Sequence, residues 1–250
     1  MRLRDKVAII TGAASGIGLA SVIKFAQEGA KIVAVDINEA QNHDTVEALK
    51  ADGGTAVSVQ GDVSDAETAR VMIKAAVDTY GRLDILFNNA GIGGRGNVLD
   101  VDEQSFDRVF AVNVKAIYLA SREAVPVMKS NGGGVILNTA SQLGMVGLRN
   151  NAAYCASKGA VIQLTRCMAL DHATDGIRVN CVCPGPTDTP RIRSGRENVD
   201  SYLSGLADRV PLARMGTTEE IANVSAFLCS DEASFMTGAA IVADGGWSAQ

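Results

Sequence analysis

The feature that most constrains this chain is a strict alternation of short apolar or β-branched runs with longer amphipathic stretches. The runs lie at residues 7–10, 32–35, 56–59, 83–87, 135–137, 177–182 and 240–243, and they predict seven strands. Between them, residues 17–29, 39–51, 65–80, 102–129, 154–174 and 217–229 carry helical spacing, with Leu19, Val22, Ile23 and Ala26 on one face. Helix starts are marked by Ser64-Asp65-Ala66-Glu67 and Thr218-Glu219-Glu220. A strand that is apolar along its whole length is buried on both faces. Such strands alternating with helices require a parallel sheet covered by helices on each side. The expected fold class is therefore α/β, doubly wound. No repeat, low-complexity tract or Pro/Ser-rich linker divides the chain, so a single domain over residues 1–250 is expected. Residues 184–212 lack a clear period and hold prolines 184, 186, 190 and 211. They are expected to form a structureless lid, at about 187–212.

Composition narrows the partners. Hydrophobic residues are 47% and charged residues 20% of the chain, enough apolar material for a sizeable core. The formal net charge is -5 and the basic residues are scattered, which argues against nucleic acid. Five cysteines, an odd number at irregular positions, argue for a reducing compartment rather than a disulfide framework. Cys181 and Cys183 read as buried strand thiols. Zinc wants about four ligands, and His43 and His172 lie far away in sequence, so no metal is expected. The apolar run after Lys6 ends at Ile10, too short for a signal segment or a membrane span. A cytoplasmic protein without membrane contact is expected.

The first strand leads into Thr11-Gly12-Ala13-Ala14-Ser15-Gly16-Ile17-Gly18 and then directly into a helix. Glycines at such a turn let backbone N–H groups approach a pyrophosphate, and the helix N-terminus adds partial positive charge. Gly12, Ser15, Gly16, Ile17 and Gly18 are thus cofactor-binding candidates. The structural alternative is a tight turn with close helix packing. Asp36 ends the second strand, eighteen residues after Gly18, with Ile37 following. A carboxylate there accepts hydrogen bonds from the ribose hydroxyls of NAD and repels the 2′-phosphate of NADP. No Arg or Lys stands at 37 to reverse that preference. The alternative for Asp36 is an ordinary strand-end cap.

With Asn88-Asn89-Ala90-Gly91, Tyr154-Cys155-Ala156-Ser157-Lys158 and Pro184-Gly185 added, the chain resembles the short-chain dehydrogenase/reductase family, in its branch of about 250 residues. The resemblance runs from the glycine turn to Asp244-Gly245-Gly246 and implies a Rossmann-like domain. Independently of it, Tyr154 and Lys158 lie four apart at a predicted helix start and project from one face. A lysine within about 4–6 Å favours the ionised phenol, lowering its pKa from about 10. Tyr154 is then a usable general base toward an alcohol and general acid toward a ketone. Ser141 lies at the C-terminal end of the fifth strand, where its hydroxyl can donate to a substrate oxygen.

The resemblance implies more. It gives Lys158 a hydrogen bond to the nicotinamide ribose and makes Asn113 the anchor of a water in a proton relay; a satisfied core amide is the alternative for Asn113. It assigns adenine contacts to Asp62 and Val63, backbone contacts to Asn89, Ala90 and Gly91, and nicotinamide contacts to Pro184, Gly185, Thr187 and Thr189. Thr187 stands where similar proteins often have an aliphatic residue. The expected activity is hydride transfer between NAD(H) and a secondary alcohol or ketone. The alternatives are a 3-oxoacyl-thioester reductase and a non-catalytic nucleotide-sensing protein on the same fold.

The resemblance also suggests a homotetramer, with Val109, Val112, Ile117, Leu119, Val161 and Leu164 as apolar surface of the pairing helices. Tyr118 and Trp247 read as core or interface. Substrate specificity is expected in residues 93–98, 142–153 and 189–212. Arg191, Arg193 and Arg196, with Arg149, are candidate anchors for an anionic substrate. Glu197 and Asp200 nearby favour ordinary solvated ion pairs instead.

Overall fold

The structure is a computed structural model that describes residues 1–194 and 197–249; Gly195, Arg196 and Gln250 lie outside the described residues. The strands are β1 Val7–Thr11, β2 Lys31–Asp36, β3 Ala56–Gln60, β4 Ile85–Asn88, β5 Gly134–Thr139, β6 Ile177–Pro184 and β7 Ala240–Ala243. The helices are α1 Gly16–Gln27, α2 Glu39–Ala51, α3 Ala66–Tyr80, α4 Glu103–Phe110, α5 Ala116–Ser130, α6 Ala152–His172, α7 Pro190–Arg193, α8 Val199–Ala207 and α9 Thr218–Cys229. All seven strands form one parallel sheet in the order β3-β2-β1-β4-β5-β6-β7.

The sheet is buried because its two faces are both apolar. Alternate residues of β1 go to opposite layers: Ala8 and Ile10 pack with α1 and α9 side chains such as Val22, Phe25, Ile221 and Leu228. Val7 and Ile9 pack with Met72 of α3, Leu119 and Met128 of α5 and Met168 of α6. Full burial of each such side chain contributes about 1.5–3 kcal/mol. This double coverage explains why the strands read as unbroken apolar runs. At β1 the chain order reverses: β1 pairs with β2 on one side and with β4 on the other. The loops after β1 and β4 therefore diverge, opening a crevice at the C-terminal strand edge.

Four expectations needed correction. The helix expected over 102–129 is interrupted by a π-helical turn at Ala111–Lys115. Within it Asn113 uses its side chain on Ile92 and Ser157, and such one-turn insertions are frequent where a helix must aim a polar group inward. Residues 184–212 are not structureless, since they contain α7 and α8. The start signals were present: Thr189 accepts from the Ile192 N–H with Pro190 at the first helical position, and Asn198 accepts from the Ser201 N–H. Finally, Val109, Val112, Ile117, Leu119 and Val161 are buried within the protomer and Leu164 packs against its core, so they supply no face for a partner. β4 also starts later than expected, at Ile85, because the Asp84 carboxylate accepts the Val7 N–H at 2.8 Å and holds Arg82.

No helix among the described residues is long and apolar enough to cross a membrane. No group of three or more His, Cys, Asp or Glu is placed among them to hold a metal ion.

Candidate functional site

At the crevice, Thr11 ties the two loops together. Its hydroxyl accepts from the backbone N–H groups of Asn89 and Ala90, both at 3.0 Å, and its carbonyl accepts from the Asn89 side chain at 3.0 Å. Gly12 follows at φ +68°, and a Cβ there would lie 3.0 Å from the Ala90 Cα. Gly16 sits at φ +55°. A Cβ on Gly18 would lie 1.8 Å from the Gly12 carbonyl oxygen, so α1 can pack under the turn only without a side chain. Ser15 is the N-cap of α1 yet makes no side-chain cap hydrogen bond. The other long helices of the same layer cap themselves: Asn38 on α2, and a full capping box of Thr217 and Glu220 on α9. The first turn of α1 is thus left with open N–H groups at a surface cleft, the arrangement that receives a phosphate.

Asp36 stands at the rim of this turn. One oxygen accepts from the Ala14 N–H at 3.0 Å and the other from the Asn38 N–H at 2.9 Å. The carboxylate therefore also fixes the glycine turn, a duty its sequence position does not announce. Ile37 beside it is 60% exposed. Farther along, Asp62 accepts from the Ser64 N–H and hydroxyl and from Arg108 at 2.6 Å. Burial opposes its charge, but Ser64 and Arg108 outweigh burial and hold the carboxyl below its ordinary value.

The other end of the groove is built by α6 and the end of β5. Tyr154 and Lys158 are one turn apart on α6, with the Lys158 Nζ 5.7 Å from the Tyr154 ring centroid. Lys158 is 3% exposed and donates to the Thr139 carbonyl at 2.7 Å. Burial pushes the Tyr154 phenol up, but the cations of Lys158 and Arg191 and hydrogen bonding from Ser141 and Arg191 outweigh it, so the phenol lies below its ordinary value. Burial lowers the Lys158 ammonium, with Tyr154 acting against that shift. The Arg191 guanidinium carbon lies 5.7 Å from the same ring. Ser141, 5% exposed, accepts from the Leu143 N–H and faces Gln142.

A cavity of about 260 Å³ runs the length of this groove. Of the residues expected from sequence, Gly12, Ser15, Gly16 and Ile17 line it at one end, with Thr189 over Gly16, and Tyr154 and Lys158 line the other. Asp36, Ile37, Asp62 and Val63 line the outer wall, and Asn89, Ala90 and Gly91 the floor. Six others stand behind the wall. Gly18 is packed beneath the turn. Asn113, 1% exposed, accepts from the Ile92 N–H and donates to the Ile92 carbonyl and to Ser157. Ser141 is buried beside Tyr154. Pro184 ends β6, Gly185 is pressed against Asp244, and the Thr187 hydroxyl donates to the Gly185 carbonyl. Thr187 is buried and pairs through its backbone with Gly216, so its polar side chain is satisfied internally.

Sequence reasoning did not find Thr11, Arg108 or Thr139. In sequence Thr11 reads only as the residue before the glycine turn. Arg108 lies 46 residues from Asp62, and the carbonyl of Thr139 carries no side-chain signature. Fold knowledge alone could have placed them.

Comparison with known proteins gives the family. A family model described as enoyl-(acyl carrier protein) reductase matches residues 12–248. An uncharacterized oxidoreductase of Thermotoga maritima is 44% identical, covering 100% of both chains. The 2-(S)-hydroxypropyl-CoM dehydrogenase 3 of Xanthobacter autotrophicus is 41% identical, covering 99% of this chain and 98% of its own. Among solved structures, L-sorbose reductase from Gluconobacter frateurii, complexed with NADPH and L-sorbose, superposes with a TM-score of 0.95. It is 32% identical and fully covered on both sides. A match along the whole chain, in both sequence and fold, with the Gly12 turn, Tyr154 and Lys158 all on one groove, identifies this chain as a member of the short-chain dehydrogenase/reductase family, whose enzymes use nicotinamide cofactors.

Proposed function

We propose that this chain is an NAD(H)-dependent oxidoreductase that interconverts a secondary alcohol and its ketone. The observation that carries the reading is the placement of Tyr154 in the groove with Lys158 at one turn's distance and its phenol held below the ordinary value. A dehydrogenase of a hydroxypropyl compound and a ketose reductase among the similar proteins support the alcohol and ketone pair.

The residues fit a dinucleotide. The cradle at Gly12 and Gly16 has no room for a Cβ or only a left-handed backbone, and the α1 N–H groups are uncapped. Gly12 through Gly18 would hold the diphosphate, and Asp36 would accept from the adenosine ribose hydroxyls. Asp62 and Val63 would face the adenine; Asn89, Ala90 and Gly91 would lie under the chain of the cofactor. Pro184, Gly185, Thr187 and Thr189 would position the nicotinamide. The exposed Ile37 offers no cation to a 2′-phosphate, which favours NAD over NADP. When bound, the nicotinamide supplies or accepts the hydride.

In the oxidation direction the C–H electron pair leaves as hydride and the O–H proton goes to the ionised Tyr154 oxygen. Ser141 donates to the substrate oxygen, keeping it in line with Tyr154. Lys158, anchored on the Thr139 carbonyl, favours the ionised phenol and would present its remaining N–H groups to the cofactor ribose. Asn113 acts through Ile92 and Ser157, holding the floor of the groove in register with α6; its side chain is engaged by these partners. Its assignment as the anchor of a relay water rests on the resemblance.

The reading includes a single domain and a homotetramer in a reducing compartment. The unpaired thiols, and the exposed Phe106 and Tyr118 on α4 and α5, support it. The test is single-turnover hydride transfer in Tyr154→Phe, with NADH binding followed by fluorescence. Binding is expected to survive and transfer to fall at least about 10²-fold. Near wild-type transfer with cofactor bound would remove Tyr154 as the acid/base.

A further inference from the structure

The four arginines singled out in the sequence are sorted by the structure. Arg193 is committed to Asp188, donating to both of its oxygens at 2.6 Å. Arg149 is exposed and does not line the groove. Arg196 lies outside the described residues. Of the three that are described, only Arg191 reaches the groove beside Tyr154.

Its direction follows from the start of α7. Thr189 and Pro190 lie over the phosphate turn, with the Thr189 Cγ2 at 3.4 Å and the Pro190 Cδ at 3.9 Å from a Cβ built on Gly16. The guanidinium of Arg191 goes the other way. It stands over the Tyr154 ring, and its Nη1 lies 3.8 Å from a Cβ built on Gly93. Among the described residues, ion pairs occupy Arg2, Arg70, Arg82, Arg108, Arg193 and Arg214, and none occupies Arg191.

The charges along the groove are therefore segregated. The carboxylates that line it, Asp36 and Asp62, stand at the outer wall, and Asp62 is offset by Arg108. Around Tyr154 the groove has two cations, Lys158 and Arg191, and no carboxylate among its lining residues. Lys158 is already spent on Thr139 and the phenol. Arg191 gives one hydrogen bond to the Tyr154 oxygen, and the rest of its planar five-donor fork, with no carboxylate partner among the described residues, matches a carboxylate, which it can hold by two parallel hydrogen bonds.

We propose that Arg191 binds the anionic group of the substrate, so that the enzyme acts on short hydroxy acids and the corresponding oxo acids. This rests on the reading of Tyr154 as the acid/base. Because the guanidinium carbon lies 5.7 Å from the centre of the Tyr154 ring, the carboxylate and the carbinol carbon are joined directly or through one or two carbons.

The test uses the full-length enzyme and the series CH₃–CH(OH)–(CH₂)ₙ–COO⁻, with n from 0 to 3, each beside its methyl ester. Wild type is expected to prefer the acid over the ester at one chain length among the shorter members. Arg191→Gln should lower kcat/KM for that acid by about 10- to 10²-fold, as for loss of a charge-assisted hydrogen-bond pair. Because Arg191 also bears on the Tyr154 phenol, the readout is the acid-to-ester ratio of kcat/KM, which should fall by about that factor in Arg191→Gln and stay unchanged in Arg193→Gln.

The matching tertiary acids, HO–C(CH₃)₂–(CH₂)ₙ–COO⁻, carry the anion and hydroxyl but no hydride to give. Their calorimetric binding to the NAD⁺ complex should show the same dependence on Arg191. Equal loss on acid and ester with weakened NADH binding would make Arg191 a ligand of the cofactor diphosphate and overturn the proposal. Wild-type indifference between acid and ester would overturn it as well. Arg191-dependent binding of the tertiary acid without oxidation of any alcohol would instead uphold the anion site and defeat the reading of Tyr154.

Discussion

The two ends of the groove are built from different materials. At the phosphate end nearly every constraint is backbone: two glycines at positive φ, a third whose Cβ would strike the Gly12 carbonyl, and an uncapped helix start. Even the one charged residue there, Asp36, spends hydrogen bonds on the Ala14 and Asn38 N–H groups. At the Tyr154 end the constraints are side chains, namely a phenol, an ammonium, a hydroxyl and a guanidinium converging from α6, α7 and the end of β5. A ligand group common to all dinucleotides can be met by backbone geometry. A group that differs between substrates has to be met by replaceable side chains.

If that contrast holds, the phosphate end should tolerate no added atom. In Gly18→Ala the new methyl meets the Gly12 carbonyl oxygen at 1.8 Å, and α1 must move away from the turn. Overpacking of this kind costs about 1–3 kcal/mol, so NADH binding should weaken by roughly 10- to 10²-fold. Gly205→Ala on α8, where a Cβ meets open space, should bind NADH as wild type does. Fluorescence titration of both variants checks this. Unaltered binding in Gly18→Ala would mean that the turn adjusts and that backbone geometry is not what defines this end.

The same contrast explains what could be read from the sequence. Backbone-built features leave local traces: the Gly12, Gly16 and Gly18 spacing, Asp36 at a strand end, and apolar strands that demand two covering layers. Tyr154 and Lys158 were legible because they are one helical turn apart. What local spacing could not supply was the sorting of like charges. Arg191 and Arg193 are two positions apart in α7, yet one faces Tyr154 and the other holds Asp188, a difference set by the direction of a four-residue helix. Arg108 reaches Asp62 across 46 residues. The π-helical turn at Asn113 left no trace because its cause is tertiary, the pull of Ile92 and Ser157 on one amide. The helices of 184–212 were missed for a different reason. The four prolines mask any helical period there, although Pro190 follows an N-cap and begins a helix.

Asp36 allows the contrast to be sharpened, because it belongs to both categories. Replacing it with Ala would remove the acceptor of the Ala14 N–H along with the charge. Asp36→Asn removes the charge and keeps one acceptor, enough for the Ala14 N–H while the exposed Asn38 N–H turns to water, and Ile37→Arg adds a partner for a 2′-phosphate. The double variant should move the ratio of kcat/KM for NADP over NAD upward by about tenfold, which corresponds to about 1.4 kcal/mol. The thermal unfolding midpoint should fall by only a few degrees, as for the loss of one exposed hydrogen bond of about 0.5–1.5 kcal/mol. An unmoved ratio with a stable fold would place the carboxylate's whole duty in the turn and not at the ribose.

The smallest effect expected is a displacement of a pH profile, and it probes the other end. Oxidation needs the ionised Tyr154 oxygen, so with a neutral alcohol such as 2-butanol at saturating NAD⁺ the rate should rise with pH and level off above the phenol's pKa. Ketone reduction needs the protonated form and should fall over the same range. The midpoint lies below the ordinary value of about 10 because Lys158 and Arg191 outweigh burial. Arg191→Gln removes one of these cations and Lys158→Met the other, so each midpoint should move upward. The Lys158 variant should move further, since its charge is the larger of the two contributions opposing burial. A neutral substrate keeps this readout separate from anion binding, so the shift reports only the field at the phenol. An unmoved midpoint in Arg191→Gln would place its guanidinium away from the ring in solution, and the side-chain electrostatics of this end would then reduce to Lys158 alone.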